Sequence, residues 1–391
     1  MRILIHDFGA YAFPITLSRA LQNRGHEVAH AYCDSLVTTP RNVCESISNL
    51  TLLPVRTAQT FNKYNLIRRW RQEREYGRLA AHVILDFNPD IVISANAPLS
   101  AQDCILRTCK QHDIQFVFWL QDLIGLAASK VLKSKLPLLS SAIGRYFQSM
   151  EGRLLRESNA VIAITEDFRP ALREFDVAPD RCHVIENWGV LEKPTDEPKT
   201  WARLHKLEDR PILLYTGTLS MKHNPAILVH LAQKFGERAQ VVVVSQGAGA
   251  AWLTQAIETH NLLNLVVLPY QNPDQLPAMY ASAEVLLVLL TEDAGQFSVP
   301  SKVLTYLCAG RPVLAAIPTE NLAARILEES GAGFVTAPDD HTGFIQKTEM
   351  LLDAPELRQS MGEKAKIWAT KKFNIEQITD QFERVIQQTC A

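Results

Sequence analysis

The stretch Ser298-Val-Pro-Ser-Lys302-Val-Leu-Thr-Tyr-Leu-Cys-Ala-Gly310-Arg-Pro-Val-Leu314 holds the residues best suited to handling a phosphate. It predicts a short helix with both ends marked, followed by a buried strand. Ser298 suits an N-cap and Pro300 a first turn, where a missing N–H costs nothing. Gly310 suits the left-handed residue that ends a helix, and Pro312 bars continuation. The first-turn amides of Ser301 and Lys302 lack intrahelical partners in such a helix, its dipole adds partial positive charge there, and Lys302 brings a full one. A helix end of this kind holds phosphate well. The same pattern also fits one more helix–strand unit of a parallel sheet, with no ligand.

Other residues invite related chemistry. Lys222 follows Tyr215-Thr216-Gly217-Thr218, where Gly217 lets a ligand approach the backbone, and it stands near the start of the next helix. Asp122 comes directly after the apolar run that ends in Trp119-Leu120, a place from which a carboxylate can orient a hydroxyl or carry its proton. Capping of the next turn is its structural alternative. Gly9, after the first apolar run, permits close approach or simply turns the chain. Asn187 can both donate and accept hydrogen bonds, whereas Trp188 beside it reads as packing, and Thr165 reads equally as a helix cap.

Pro300-Ser-Lys-Val-Leu-x-Tyr306-x-x-x-Gly310-x-Pro-Val313 resembles the nucleotide-sugar signature of the retaining family-4 glycosyltransferases of the GT-B fold, and within them the branch of capsule, O-antigen and colanic acid enzymes. The resemblance implies that Ser301 and Lys302 hold the donor diphosphate, that Lys222 neutralises the leaving nucleotide, and that the amides of Ser298 and Val299 touch the donor sugar. It implies that Gly9 lies on a loop touching donor and acceptor, that Asp122 lines the acceptor side, and that Asn187 stands beside a sugar at a hinge. Two departures accompany it. Thr218 occupies the place of the family's Arg in the 217–222 loop, and the family's Glu-x7-Glu pair is replaced by Phe297 and Thr305. Thr305 can still bond a ribose hydroxyl. Phe297 cannot replace an acid, and Glu292 and Asp293 are the carboxylates nearby in sequence.

The implied activity is transfer of a hexosyl or N-acetylhexosaminyl group, with retention, from a nucleotide-diphosphate donor to a hydroxyl of a glycan or lipid-linked glycan in polysaccharide biosynthesis. No metal and no cofactor beyond the donor substrate is expected, since Lys222, Lys302 and the helix end supply the electrostatic work a cation does elsewhere. The missing acids keep open a catalytically inactive GT-B scaffold in a glycan-assembly complex. A sugar-nucleotide epimerase on the same fold is a third reading.

The 391 residues suffice for two domains. With 47% hydrophobic and 21% charged residues the composition is that of a soluble globular protein. No apolar run approaches the roughly 20 residues a membrane span needs. The opening Met1-Arg2-Ile3-Leu4-Ile5-His6-Asp7 turns polar too soon for a signal peptide and reads as a first strand. Seven cysteines without a C-x-x-C pair read as reduced thiols of a cytoplasmic protein, with neither a disulfide frame nor a zinc site.

Residues 1–190 carry 22 Lys+Arg against 19 Asp+Glu, leaving 18 against 23 beyond them. Arg68-Arg69-Trp70-Arg71-Gln72-Glu73-Arg74 and Lys130-Val-Leu-Lys133-Ser-Lys135 mix cations with apolar residues, as segments at an anionic membrane face do. Peripheral contact with the inner face of the membrane is the expectation this raises, although solvated helix faces look alike. Nucleic acid is not expected as a partner at this charge.

Short apolar runs alternate with helical periodicity, the mark of α/β folds with parallel sheets. Strands are expected at residues 3–5, 28–32, 91–94, 116–120 and 161–165, with helices at 14–24, 65–86 and 138–157. Residues 191–210, rich in charge and interrupted by prolines, read as a linker. The alternation restarts with strands at 212–215, 241–245, 266–269, 285–290 and 313–317, and a last helix at 375–388. The expected fold is therefore α/β of GT-B type, two Rossmann-like doubly wound parallel-sheet domains facing across a cleft. Its parts are an acceptor-side domain 1–190, the linker 191–210, a nucleotide-sugar-binding domain 211–372, and a terminal helix 373–391 that the resemblance sends back to the first domain. Ligands of open α/β sheets bind at the carboxyl ends of the strands. The first strand lacks G-x-G-x-x-G after it, which removes the main support for a dinucleotide-dependent oxidoreductase.

Overall fold

Runs of Val, Ile, Leu and aromatic residues without polar alternation form strands buried on both faces, as parallel sheets require. The computed structural model describes residues 1–36, 50–59, 61, 66–126, 140–191, 199–295 and 298–391. The chain divides into two units, Met1–Asn187 with Asn374–Ala391, and Trp188–Phe373.

In the first unit, β1 (Arg2–Asp7), β2 (Glu27–Cys33), β3 (Thr51–Val55), β4 (Ile91–Ala95), β5 (Gln115–Leu120), β6 (Ala160–Ala163) and β7 (Cys182–Val184) form one parallel sheet in the order β3-β2-β1-β4-β5-β6-β7. The chain runs outward from β1 and then jumps back to β4, so the strand order reverses between these two. Asp7, the last residue of β1, lies level with Tyr32 of β2 and Ala95 of β4.

The second unit repeats the plan with six parallel strands, β8 (Ile212–Thr216), β9 (Gln240–Val244), β10 (Leu265–Leu268), β11 (Val285–Leu289), β12 (Val313–Ala316) and β13 (Gly333–Thr336), ordered β10-β9-β8-β11-β12-β13. Its reversal falls between β8 and β11. Two apolar clusters fill the faces of this sheet, one around Leu214, Leu286, Tyr306 and Val313, the other around Leu213, Val241, Leu287 and Phe344. Each unit is thus an α/β doubly wound domain of the expected class.

The helix Ile375–Cys390 belongs to the first unit. Asn374 caps it, accepting from the amides of Glu376 and Gln377, and Ile378, Phe382, Val385 and Ile386 form its buried stripe at helical spacing. Phe382 meets the Trp119 ring at 4.8 Å, and Arg24 donates to Glu376, Asp380 and Glu383.

Three strands escape the sequence reading: β3, β7 and β13, each at a sheet edge. Edge strands are short and half covered; β3 carries Pro54, which a ladder tolerates only there, and β7 has three residues. The expected linker also needs correcting. Residues 192–198 lie outside the described residues, but Thr200–Leu204 is helical, and Trp201, 1% exposed, joins the second core while its indole N–H donates to Gln271 at 3.1 Å. One Trp among charges and prolines gives no periodicity to read. The basic run 130–135 lies outside the described residues. Among those described, no helix is long and apolar enough to cross a membrane.

Candidate functional site

β8 ends at Thr216, and the next residue, Gly217, adopts φ +96°, a conformation that other residues resist. Its amide donates to the Val244 carbonyl at 3.1 Å. Thr216 is tied to the helix Lys302–Ala309, whose fully buried Tyr306 hydroxyl accepts from the Thr216 amide at 3.1 Å and lies 2.9 Å from its Oγ1. This bond fixes Lys302, on the first turn of the same helix, beside the glycine corner. The Lys302 Nζ is shielded from solvent, 3.7 Å from the centroid of the Tyr215 ring, and 3.6 Å from where a Cβ on Gly217 would stand. The negative face of an aromatic ring suits a cation. Gly217 and Lys302, 85 residues apart in sequence numbering, are thus brought together at the reversal point of the sheet.

The helix starts later than the sequence predicts. Ser301, at φ −56°, flanks it and makes no side-chain cap; Val303 and Leu304 donate to the Pro300 and Ser301 carbonyls at 3.1 and 3.0 Å. Proline disfavours helical backbone at the residue before it, which keeps Val299 and Ser298 out of the helix. Ser298 is therefore no N-cap. Its carbonyl accepts from Asn321 Nδ2 at 3.0 Å, and the same nitrogen reaches the Gly295 carbonyl at 2.8 Å. Asn321 so ties Gly295 to Ser298; Phe297, between them in sequence, lies outside the described residues. The end of the helix is as read, with Gly310 at φ +65°. Thr305 stands half-buried one turn beyond Lys302.

Thr218 does not leave its position bare. Its Oγ1 lies 2.8 Å from the Tyr270 hydroxyl, and its carbonyl accepts from Tyr215 at 3.1 Å. The backbone of Lys222 lies in a single turn, Met221–His223, closed by the Ser220 amide donating to His223 Nδ1 at 3.0 Å; the Lys222 side chain lies outside the described residues. Tyr306 belongs to the signature read in the sequence, but its bond to Thr216 is not legible there; Asn321 and Tyr270 escape the sequence reading, as does Gly247. The last was readable: a glycine at φ +117° after the Val-rich β9 lets the backbone pass the Leu219 carbonyl, 2.8 Å from the would-be Cβ.

Gly189 serves the same helix from the other side. A Cβ there would lie 2.3 Å from the Leu304 carbonyl oxygen, so only glycine lets this strand of chain touch it. Trp188 beside it is 4% exposed, in keeping with packing. A cavity of about 410 Å³ also opens at this carboxyl edge, lined by Asn224, Thr291, Glu292, Pro338, Asp339 and His341. Desolvation, then the Glu320, Asp339 and Asp293 carboxyls, raise the Glu292 pKa.

In the first unit, Asp7 is fully buried at the end of β1 and accepts from the amides of Tyr11 and Gly9 and from Asn96 Nδ2, the last two at 3.3 and 2.8 Å. Burial pushes its pKa up to about 6 against these bonds. Beneath it, His6 lies 2.7 Å from both Ser94 Oγ and Tyr76 Oη, and burial pushes it down to about 3, so it stays neutral. Asp122 is exposed beyond β5. Its neighbour Gln121 forms a reciprocal amide pair with Asn187, at 2.6 and 3.3 Å. Glu151, buried on the helix Ser140–Glu157, accepts from the Gly125 amide at 3.0 Å and so anchors the turn after Asp122; burial pushes it up to about 7. Thr165 caps its own turn, accepting from the Asp167 amide at 3.2 Å. Gly9, Asp122 and Asn187 thus all lie beyond strand ends of one sheet.

These two sheets, each with its residues at the carboxyl edge, define a GT-B enzyme scaffold. Residues 16–188 match the glycosyl transferase 4-like domain, and residues 196–368 match the glycosyl transferases group 1 domain. The chain belongs to the GT-B glycosyltransferases built from these two domains. Alpha-D-kanosaminyltransferase of Streptomyces kanamyceticus is 25% identical over 240 residues, which span 59% of this chain and 61% of that enzyme's length. Sucrose-phosphate synthase from Thermosynechococcus elongatus shares the fold with a TM-score of 0.76 at 14% identity, over 99% of this chain and 98% of that one. Anabaena Alr3699/HepE, solved in complex with UDP and glucose, does so with a TM-score of 0.74 at 14% identity, over 99% and 100%.

Proposed function

We propose that this protein is a retaining glycosyltransferase that moves a hexosyl or N-acetylhexosaminyl group from a nucleoside diphosphate sugar to a hydroxyl of a glycan or lipid-linked glycan, in the manner of the capsule, O-antigen and colanic acid branch. The observation that carries this reading is the Lys302 ammonium at the Gly217 corner, beside the start of its helix. A diphosphate seated there meets a full charge, a helix end and exposed backbone together. In this reading Lys302 and Lys222 offset the charge that develops on the leaving diphosphate, and no metal is required for that step. The Ser298 and Val299 backbone meets the donor sugar, Ser301 the phosphate, and Thr305 a ribose hydroxyl.

On the acceptor side, Asp122 orients the attacking hydroxyl, with Gly9 and Asn187 beside it. The new C–O bond forms on the face from which the diphosphate departs, and the hydroxyl proton passes to the departing phosphate oxygen. Uridine is the first base to try, because Anabaena Alr3699/HepE was solved with UDP-glucose and Staphylococcus aureus TarM with UDP.

A thermal-shift screen against UDP, GDP, ADP and their sugars tests this. A ligand at 100 times its Kd adds about 2.7 kcal/mol to the stability of the state that binds it. One nucleotide should raise the melting temperature, and Lys302→Ala should abolish the rise. Silence across the panel would replace the enzyme by the inactive scaffold that the loss of the two acids foreshadows. Donor conversion without an acceptor would point to an epimerase.

The same reading extends to peripheral contact with the inner membrane face, on behalf of a lipid-linked acceptor. The helix Leu66–Phe87 exposes Arg68, Arg69, Trp70, Arg71 and Arg74, with the Arg74 guanidinium 4.8 Å from the Trp70 ring centroid, while Gln72, Glu73 and Tyr76 turn inward. Each cation near an anionic surface contributes about 1 kcal/mol. Phosphatidylglycerol vesicles should sediment the protein and release it when Arg68, Arg71 and Arg74 become Glu; equal sedimentation of that variant would end the membrane proposal.

A further inference from the structure

At the carboxyl ends of β1 and β4, where the strand order of the first unit reverses, the chain presents an aromatic ring to solvent. Tyr11 is 51% exposed. A single exposed aromatic is ordinary; the turn that carries this one is not. The buried Asp7 carboxylate accepts from both the Tyr11 and Gly9 amides, Ala10 between them takes φ +51°, and Asn96, itself at φ +58°, closes the set by donating to Asp7 at 2.8 Å.

The ring lies directly on Gly9, where a Cβ would fall 2.1 Å from Tyr11 Cε2. It also stacks against Phe13, centroids 6.1 Å apart and planes 24° apart; Phe13 meets Trp119 edge-on at 5.4 Å. Trp119 in turn meets Phe382 at 4.8 Å. Tyr11 is therefore the solvent end of an aromatic row rooted in the core, on a turn fixed by a buried acid.

We propose that Tyr11 is the platform on which a pyranose ring of the acceptor stacks. This rests on the glycosyltransferase reading above and adds to it a residue that selects the acceptor. One face of a pyranose is made of C–H bonds, apolar and faintly positive, and the face of a phenol ring is apolar and negative. Reversal points of open α/β sheets are where ligands bind, in sites that combine apolar surface with a few polar groups. Asp122, exposed beyond β5 of the same sheet, is such a polar group.

The test uses the full chain with UDP present, titrated with methyl β-D-glucopyranoside, methyl β-D-galactopyranoside and methyl N-acetyl-β-D-glucosaminide. Saturation-transfer NMR reads which ligand protons the protein touches. At least one glycoside should receive saturation at its ring C–H protons, and Tyr11→Ala should weaken its binding about tenfold. Tyr11→Phe and Tyr11→Trp should retain it, and the melting temperature of Tyr11→Ala should match that of the parent. No saturation of any glycoside, equal binding by Tyr11→Ala, or a loss in Tyr11→Phe as large as in Tyr11→Ala would each overturn the platform. The UDP thermal shift separates the two levels. If it persists while binding ignores Tyr11, only the platform fails; if no nucleotide of the UDP, GDP and ADP panel gives a shift, the glycosyltransferase reading fails with it.

Discussion

Lys302→Ala is expected to lower kcat by two to three orders of magnitude while the protein stays folded. Removing one preorganised charge or donor from a developing anion costs about that much when water is excluded. The site has this character: Nζ is shielded from solvent and held on the Tyr215 ring beside the Gly217 corner. The fold should tolerate the change. The cation–π contact contributes about 0.5–2 kcal/mol, small beside a total stability of about 5–15 kcal/mol, and Tyr306 still ties the helix to Thr216. Lys302→Arg should recover only part of the rate, because the larger guanidinium spreads its charge over a planar fork and does not set a compact charge against Gly217 as an ammonium does. Nucleotide release in a coupled assay gives kcat, and circular dichroism melting controls for folding. Full turnover by Lys302→Ala would refute the role.

What the sequence disclosed follows from which interactions are local. Central strands such as β1, β4, β8 and β11 are buried on both faces, and an unbroken apolar run is all that burial demands. Edge strands β3, β7 and β13 owe their conformation to a neighbour across the ladder, which no local pattern records. Gly310 was readable because a left-handed helix end is a property of one residue. The start of that helix was not, because Pro300 acts backwards on Val299 and the Ser298 carbonyl answers to Asn321, 23 positions on. Lys302 and Gly217 could each be named, but their meeting depends on Tyr306 reaching Thr216. Asp7 and Glu151 show the limit most clearly. Each looks like a surface acid in sequence, and each is a buried anchor for a turn, the one that carries Gly9 in one case and the one that follows Asp122 in the other.

Phe382→Ala should cost the first unit about 3–5 kcal/mol, the usual range for a fully buried Phe reduced to Ala, and release the terminal helix before anything else unfolds. A helix of 16 residues is marginal alone in water, so Ile375–Cys390 is held by its docking. Phe382 lies at the centre of that docking, between Ile378 and Val385 on the buried stripe and against Trp119 of β5. Arg24 and Glu383 are half-buried, but Glu376 and Asp380 lie exposed, where an ion pair contributes about 0–1 kcal/mol, so Arg24→Ala should be the milder change. Two measurements read the outcome: the urea midpoint, and amide exchange over residues 375–390. The exchange should rise first and farthest in Phe382→Ala. Because Trp119 also supports Phe13, and through it Tyr11, the same variant should weaken glycoside binding although residue 382 is buried and Tyr11 is untouched. Unchanged exchange over the terminal helix would mean that its polar rim, and not the aromatic contact, holds it in place.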